Sequence, residues 1–213
     1  MSLAVVGTGT EVGKTVVSAL VTARYGQALG LTYWKPVATG AREGRDAETV
    51  ARLSGGRVRE EMYLFQEPLS PHLAARLAGA RIDPARILAE RADDGKLVVE
   101  GVGGLLVPLT DEGYLLADLL LEMRLPCLLV ALSTLGTINH TLLTLEAMRS
   151  RGLGVVGAVL NGPPNAENRS AIERFGDVKV LGEVPRLEPL TAETLRAEAS
   201  RFDPEGVLAG CFR

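Results

Sequence analysis

The chain has 213 residues, 46% of them hydrophobic and only 4% aromatic, with 23 Lys plus Arg against 26 Asp plus Glu for a net charge of −3. That length suits one α/β domain, residues 1–213, with a core of Leu, Val, Ile and Ala, and the balanced charge without a basic block argues against a nucleic-acid partner. No apolar run reaches the ~18 residues of a membrane span and no leader precedes the first motif, while Cys127 and Cys211 lack metal or disulfide spacing; a soluble cytoplasmic protein is expected.

In chain order, residues 3–6 form an apolar run that predicts a buried strand, and residues 15–29 predict a helix. Between them stands Gly7-Thr-Gly-Thr-Glu-Val-Gly-Lys-Thr15. A strand feeding a glycine-rich turn and then a helix directs several backbone N–H groups at one point, where the helix dipole also favours negative charge. Lys14 adds a mobile cation for β- and γ-phosphates, and the Thr15 hydroxyl suits Mg²⁺. The segment is thus read as a phosphate-binding loop. Its spacing departs from the general G-x-x-x-x-G-K-[ST] pattern, which needs a glycine where this chain has Thr8.

Residues 31–34 predict a second strand ending in Lys35-Pro-Val-Ala-Thr-Gly40, and residues 39–46 an exposed loop rich in Gly, Arg and Glu. Helices are expected over 46–53 and 84–92, and a strand over 97–99 that ends in Glu100-Gly-Val-Gly-Gly104. Further on, helix 117–123, strand 127–132, helix 138–151, strand 155–160, helix 166–175, strand 178–181 and helix 191–202 follow. Strands alternating with helices imply a mostly parallel sheet covered on both faces, with ligands beyond the carboxyl ends of the strands. The polar residues at those ends are therefore site candidates: Lys35, Glu100, Asn161 and the stretch approaching Pro185. Glu100 can hold Mg²⁺ directly or through water, with Asp46 as a further oxygen; Asp46 is equally suited to a helix start. Leu135-Gly-Thr-Ile-Asn-His140 precedes a helix and can receive a carboxylate or serve as an ordinary cap. His72 and His140, the only histidines, are read as structural.

Taken together, Gly7–Thr15, Lys35–Gly40, Ser70-Pro-His72, Val99-Glu-Gly-Val-Gly-Gly-Leu-Leu-Val-Pro108 and Gly136–His140 resemble dethiobiotin synthetase, a family of the deviant P-loop NTPase class whose loop carries this five-residue spacing. The resemblance implies ATP-dependent conversion of 7,8-diaminononanoate and CO₂ (or bicarbonate) to dethiobiotin, with ADP and phosphate released. A carbamate forms on one amine, attacks the γ-phosphate to give a carbamic-phosphoric anhydride, and is closed by the second amine into a cyclic urea. It also implies a homodimer with substrate near the interface.

By the same resemblance, Lys35 and Lys14 are catalytic, and Thr15, Asp46 and Glu100 hold Mg²⁺. Glu11, Val12, Gly13, Lys14, Thr15 and Val16 wrap the phosphates, with Gly101, Val102 and Gly103 beside the γ-phosphate. Asn161 and Gly162 read the adenine edge while Pro185, Arg186 and Leu187 flank the base. Thr39 and Gly104 touch the substrate, and Asn139 of a second copy takes its carboxylate. Two related classes fit less well. Partitioning and septum-positioning ATPases carry an extra lysine near the loop start, absent from Gly7-Thr-Gly-Thr10, and cobyrinate-type amidotransferases need a nucleophilic cysteine.

Overall fold

The computed structural model describes residues 1–92 and 95–212. The order is β1 (Leu3–Gly7), α1 (Lys14–Leu29), β2 (Thr32–Trp34), β3 (Val37–Ala38), α2 (Asp46–Ser54), β4 (Arg57–Arg59), β5 (Tyr63–Leu64), α3 (Pro71–Leu77) and α4 (Pro84–Ala92). There follow β6 (Leu97–Glu100), α5 (Leu116–Met123), β7 (Cys127–Leu132), α6 (Thr137–Ser150), β8 (Val155–Asn161), α7 (Ala166–Gly176), β9 (Val180–Val184), α8 (Ala192–Arg201) and α9 (Val207–Gly210). Seven strands form one sheet in the order β4-β2-β6-β1-β7-β8-β9, and every pairing in it is parallel. The β3–β5 pair stands apart as a second small sheet.

Alternation along the central strand explains why both faces are buried. Leu3 and Val5 of β1 enter a layer with Val17, Leu20, Val50, Leu53 and Leu195 from α1, α2 and α8. Ala4 and Val6 enter the opposite layer, with Ile87, Leu119, Leu145 and Met148 from α4, α5 and α6. Side chains with a period of two, apolar at every position, require cover on both sides. The expected α/β architecture, a mostly parallel sheet with helices on both faces, is the one observed.

Details differ from expectation where pairing is non-local. β9 begins two residues later than the apolar run and continues through Gly182 and Glu183, because Asn161 of β8 pairs with Val184. β4 is short and carries two arginines, as suits an edge strand, and only its pairing with β2 marks it as sheet. α3 begins with Pro71 at its first turn, a helix-start signal not used in the sequence reading. Loop 39–46 contains a 3₁₀ turn at Ala41–Glu43 and is half-buried at Thr39, Gly40 and Asp46.

The C-terminal segment is tied down through one carboxylate. Asp203, 1% exposed, accepts hydrogen bonds from Tyr25 OH (2.7 Å), Val207 N–H (3.0 Å) and Leu208 N–H (2.9 Å). Asp203→Ala leaves a buried hydroxyl and two N–H groups at the α9 start without their acceptor. Urea denaturation is expected to read a loss of roughly 2–4 kcal/mol; a loss below about 1 kcal/mol would show that the clasp contributes little.

Candidate active site

The phosphate-binding loop spans the gap between β1 and α1, its last glycine, Gly13, capping α1 in the left-handed region at φ 91°. A Cβ built on Gly13 would stand 1.7 Å from Asn161 Nδ2, so this residue must be glycine on two counts. Asn161 Nδ2 donates to the Val12 carbonyl (3.1 Å), which pins the loop to the end of β8. Lys14 folds back over the loop and donates to the Gly9 carbonyl (2.8 Å). Burial lowers its pKa to about 8, against an opposing pull from the Glu100 carboxylate.

Two strand ends, of β2 and β6, and the starts of α1 and α2 meet beside the loop. The Thr15 hydroxyl lies 2.7 Å from Asp46 Oδ1 and 3.0 Å from Glu100 Oε1. Lys35 Nζ donates to Asp46 Oδ2 (2.5 Å) and to Glu100 Oε1 (3.1 Å). Burial pulls the Lys35 pKa down, but Glu100 and then Asp46 outweigh it and hold it above the ordinary lysine value, so the ammonium stays charged. Burial likewise opposes ionisation of Asp46, and Lys35 more than compensates, leaving its pKa lowered.

Glu100 is 1% exposed, and its other oxygen is fully engaged. Oε2 accepts from Ser18 Oγ (2.9 Å) and Tyr33 OH (3.0 Å). Burial, then the Glu100 charge, drives the Tyr33 pKa well above its usual value, so the phenol remains a donor. Neither residue was singled out in the sequence. The signal was available: Ser18 lies one helical turn beyond Thr15, and Tyr33 shares strand parity with Lys35.

Whether these groups fit Mg²⁺ can be judged from the oxygens. The Thr15 hydroxyl has a single proton for Asp46 Oδ1 and Glu100 Oε1, of which Lys35 already serves the second, so the three oxygens form a cluster rich in acceptors. Octahedral Mg²⁺ with ligands at 2.0–2.1 Å requires adjacent oxygens about 2.9 Å apart, and the separations of 2.7 and 3.0 Å match such edges. The donor set is hard and oxygenous, as Mg²⁺ prefers. Among the described residues, no group of three or more His, Cys, Asp or Glu is placed to hold a metal. A cation at Thr15 would therefore complete its shell with water or phosphate oxygens.

A cavity of about 600 Å³ opens over this cluster, and Glu11, Gly13, Lys14, Thr15, Lys35, Thr39, Asp46, Glu100, Val102, Gly103 and Gly104 all line it. Additional walls come from Glu43, Arg45 and the segment Pro68, Leu69, Ser70 and Pro71, which the sequence reading had not placed at the site. Arg45 precedes α2 and is held by Glu61, itself buried at the side chain. Other expected residues lie elsewhere. Val12 is 5% exposed, leaving only its backbone for phosphate, and Gly101 N–H is used by the Val5 carbonyl (3.0 Å). Val16 is half-buried against the α1 layer. Gly162, Pro185, Arg186 and Leu187 sit beyond the ends of β8 and β9, outside the cavity, and Asn139 is exposed on α6.

A parallel sheet with this loop between its central strand and the following helix, and a carboxylate ending the neighbouring strand β6, defines a P-loop nucleotide-binding protein. Solved structures agree on the fold: a ParA family ATPase from Chlorobium tepidum TLS superposes with TM-score 0.57 at 10% identity over 100% of this chain and 97% of that one. The septum site-determining protein MinD from Pyrococcus horikoshii OT3, complexed with Mg-ADP, gives 0.54 at 17% identity over 99% and 92%. A family model described as AAA domain matches residues 1–194. The chain is 49% identical over 201 residues to the ATP-dependent dethiobiotin synthetase BioD of Agrobacterium fabrum, covering 92% of each. It is 45% identical over 208 residues to that of Rhizorhabdus wittichii, covering 96% and 97%. The chain belongs to the family of ATP-dependent dethiobiotin synthetases.

Proposed function

We propose that this chain closes the ureido ring of dethiobiotin from 7,8-diaminononanoate and CO₂ at the cost of ATP, within biotin biosynthesis. The observation that supports this best is the charged Lys35, held beside the phosphate-binding loop by Asp46 and Glu100. A simple nucleotide cradle has no need of a second buried ammonium; a reaction in which a carbamate oxygen meets a γ-phosphate does. Two anions must approach one another, and catalysis then consists of positioning and charge neutralisation.

The loop N–H groups from Glu11 to Val16 receive the α- and β-phosphates, and Lys14 moves from Gly9 to the β/γ bridge. Thr15, Asp46 and Glu100 are the residues that would hold Mg²⁺, which would supply charge neutralisation to the phosphates. Lys35 lies on the side of the cavity that also holds Thr39 and Gly104, where the carbamate is formed. The carbamate oxygen bonds to the γ-phosphorus as ADP leaves. The second amine then attacks the carbonyl carbon, expels phosphate and closes the ring. Apolar walls at Pro68, Leu69, Pro71 and Val107 suit the alkyl chain of the diamine.

For the base, Asn161 Oδ1 is the acceptor suited to the adenine amino group, its Nδ2 being engaged with Val12; Gly162 and Pro185 to Leu187 flank the ring. A homodimer would bring Asn139 of a second copy to the substrate carboxylate. Leu132 at the end of β7, Leu135 in the turn that follows and Leu143 on α6 are exposed, as Asn139 is, which favours burial of these side chains against a second copy. No helix is long and apolar enough to cross a membrane among the described residues, and we place the enzyme in the cytoplasm.

The test is direct. Protein incubated with ATP, Mg²⁺, bicarbonate and 7,8-diaminononanoate is expected to form ADP and the cyclic urea in equal amounts, with no ADP above background when the diamine is omitted. ATP hydrolysis indifferent to the diamine would overturn the ligase reading.

A further inference from the structure

Glu100 receives four polar contacts, two at each carboxylate oxygen, and the two pairs come from different sides. Oε1 faces the cavity, toward Thr15 and Lys35. Oε2 faces the buried layer and, among the described residues, accepts from Ser18 and Tyr33. The backbone explains the convergence. Tyr33 pairs with Val98 across β2 and β6, so its side chain and that of Glu100, two residues beyond Val98, leave the sheet on the same face. That face is covered by α1, and Ser18, fully buried there, lies one turn after Thr15.

Tyr33 is itself fully buried among Leu3, Val5, Leu31 and Val98. A phenol in such a layer needs a partner for its hydroxyl, and among the described residues that partner is Glu100. Two neutral donors on Oε2 hold the carboxylate plane so that Oε1 is the oxygen presented to the cavity. Without them the carboxylate is free to rotate, or to swing both oxygens toward Lys35.

We propose that Tyr33 and Ser18 are positioning residues that set the orientation of Glu100 for the divalent cation of the nucleotide complex. The inference rests on the assignment of Thr15, Asp46 and Glu100 as cation ligands. Hydrogen bonds to a ligating carboxylate govern how well it is presented, and their loss commonly weakens metal binding by about 10- to 100-fold. A role in packing alone predicts no such selectivity, since the Tyr33 ring remains in Tyr33→Phe.

The experiment measures Mn²⁺ binding to the ADP complex by paramagnetic resonance, and ADP binding in EDTA by calorimetry, for the unmodified protein, Tyr33→Phe, Ser18→Ala and Glu100→Gln. Tyr33→Phe and Ser18→Ala are each expected to weaken Mn²⁺ binding about tenfold, and the double variant further. Metal-free ADP affinity should stay within twofold, which also reports a folded loop. If Glu100→Gln weakens Mn²⁺ binding and Tyr33→Phe and Ser18→Ala change it less than twofold, the positioning role is wrong while the ligand assignment stands. If Glu100→Gln leaves Mn²⁺ binding intact, the ligand assignment fails and the inference with it. Equal losses of metal-free ADP and Mn²⁺ affinity would mark Tyr33 and Ser18 as structural and overturn the proposal.

Discussion

Lys35→Ala is expected to lower ring-closure turnover by about 10²–10³-fold, roughly 3–4 kcal/mol of transition-state stabilisation. The ammonium is charged, 7% exposed and faces the cavity that also holds the loop. Its contribution grows as negative charge gathers between carbamate and γ-phosphate, so the loss should fall on kcat more than on ATP binding. In the proposed binding mode the nucleotide is held by the loop backbone and Lys14, neither of which is hydrogen-bonded to Lys35, so ADP affinity should change by less than about fivefold. Loss of the ammonium also leaves Asp46 and Glu100 facing each other, with only the Thr15 proton between them. Some loss of stability is therefore expected in metal-free protein, and Mg²⁺ with ADP should restore it. Steady-state kinetics and calorimetry check both halves; turnover within tenfold of the unmodified protein would remove Lys35 from the chemistry.

Gly13→Ala is expected to abolish useful nucleotide binding. The residue sits at φ 91°, where a Cβ adds about 1–2 kcal/mol of backbone strain, and that Cβ would overlap Asn161 Nδ2. Displacing Asn161 also breaks its bond to the Val12 carbonyl, a further ~1 kcal/mol. Thermal or urea unfolding should register a loss of roughly 2–3 kcal/mol in all. ADP affinity should fall more than 100-fold, because N–H groups aimed at phosphate lose their common focus. The double variant Gly13→Ala/Asn161→Ala removes the overlap but not the strain. It should recover part of the stability while binding ADP poorly. Single-variant ADP affinity within tenfold of normal would show that the loop tolerates a different path.

How much of the site could be read in advance depends on how locally each part is encoded. The loop is local, because glycine, lysine and hydroxyl at fixed spacing between a strand and a helix perform their task within nine residues. Lys35 and Glu100 were accessible for a different reason: a polar residue ending an apolar parallel strand falls on the ligand edge of the sheet. Asp46 could be read equally as a helix-start residue, and it is one; it also binds Thr15 and Lys35. Asn161 was expected at the base; what the structure shows is that it pins the loop through Val12, a contact across 149 residues of sequence.

Sequence by itself determined the alternating strand and helix order, the phosphate-binding loop and the two charged strand ends, because periodicity, glycine spacing and strand termini are properties of short segments. Tertiary structure alone decided that β6 lies beside β1 and β2 beside β6, and so that Glu100, Lys35 and Thr15 share one cluster. It alone brought Pro68 to Pro71 and Arg45 to the cavity wall, and turned Ser18 and Tyr33 toward Glu100. The physical reason is that strand order and register are set by burying two apolar faces at once, a condition satisfied only by the whole chain.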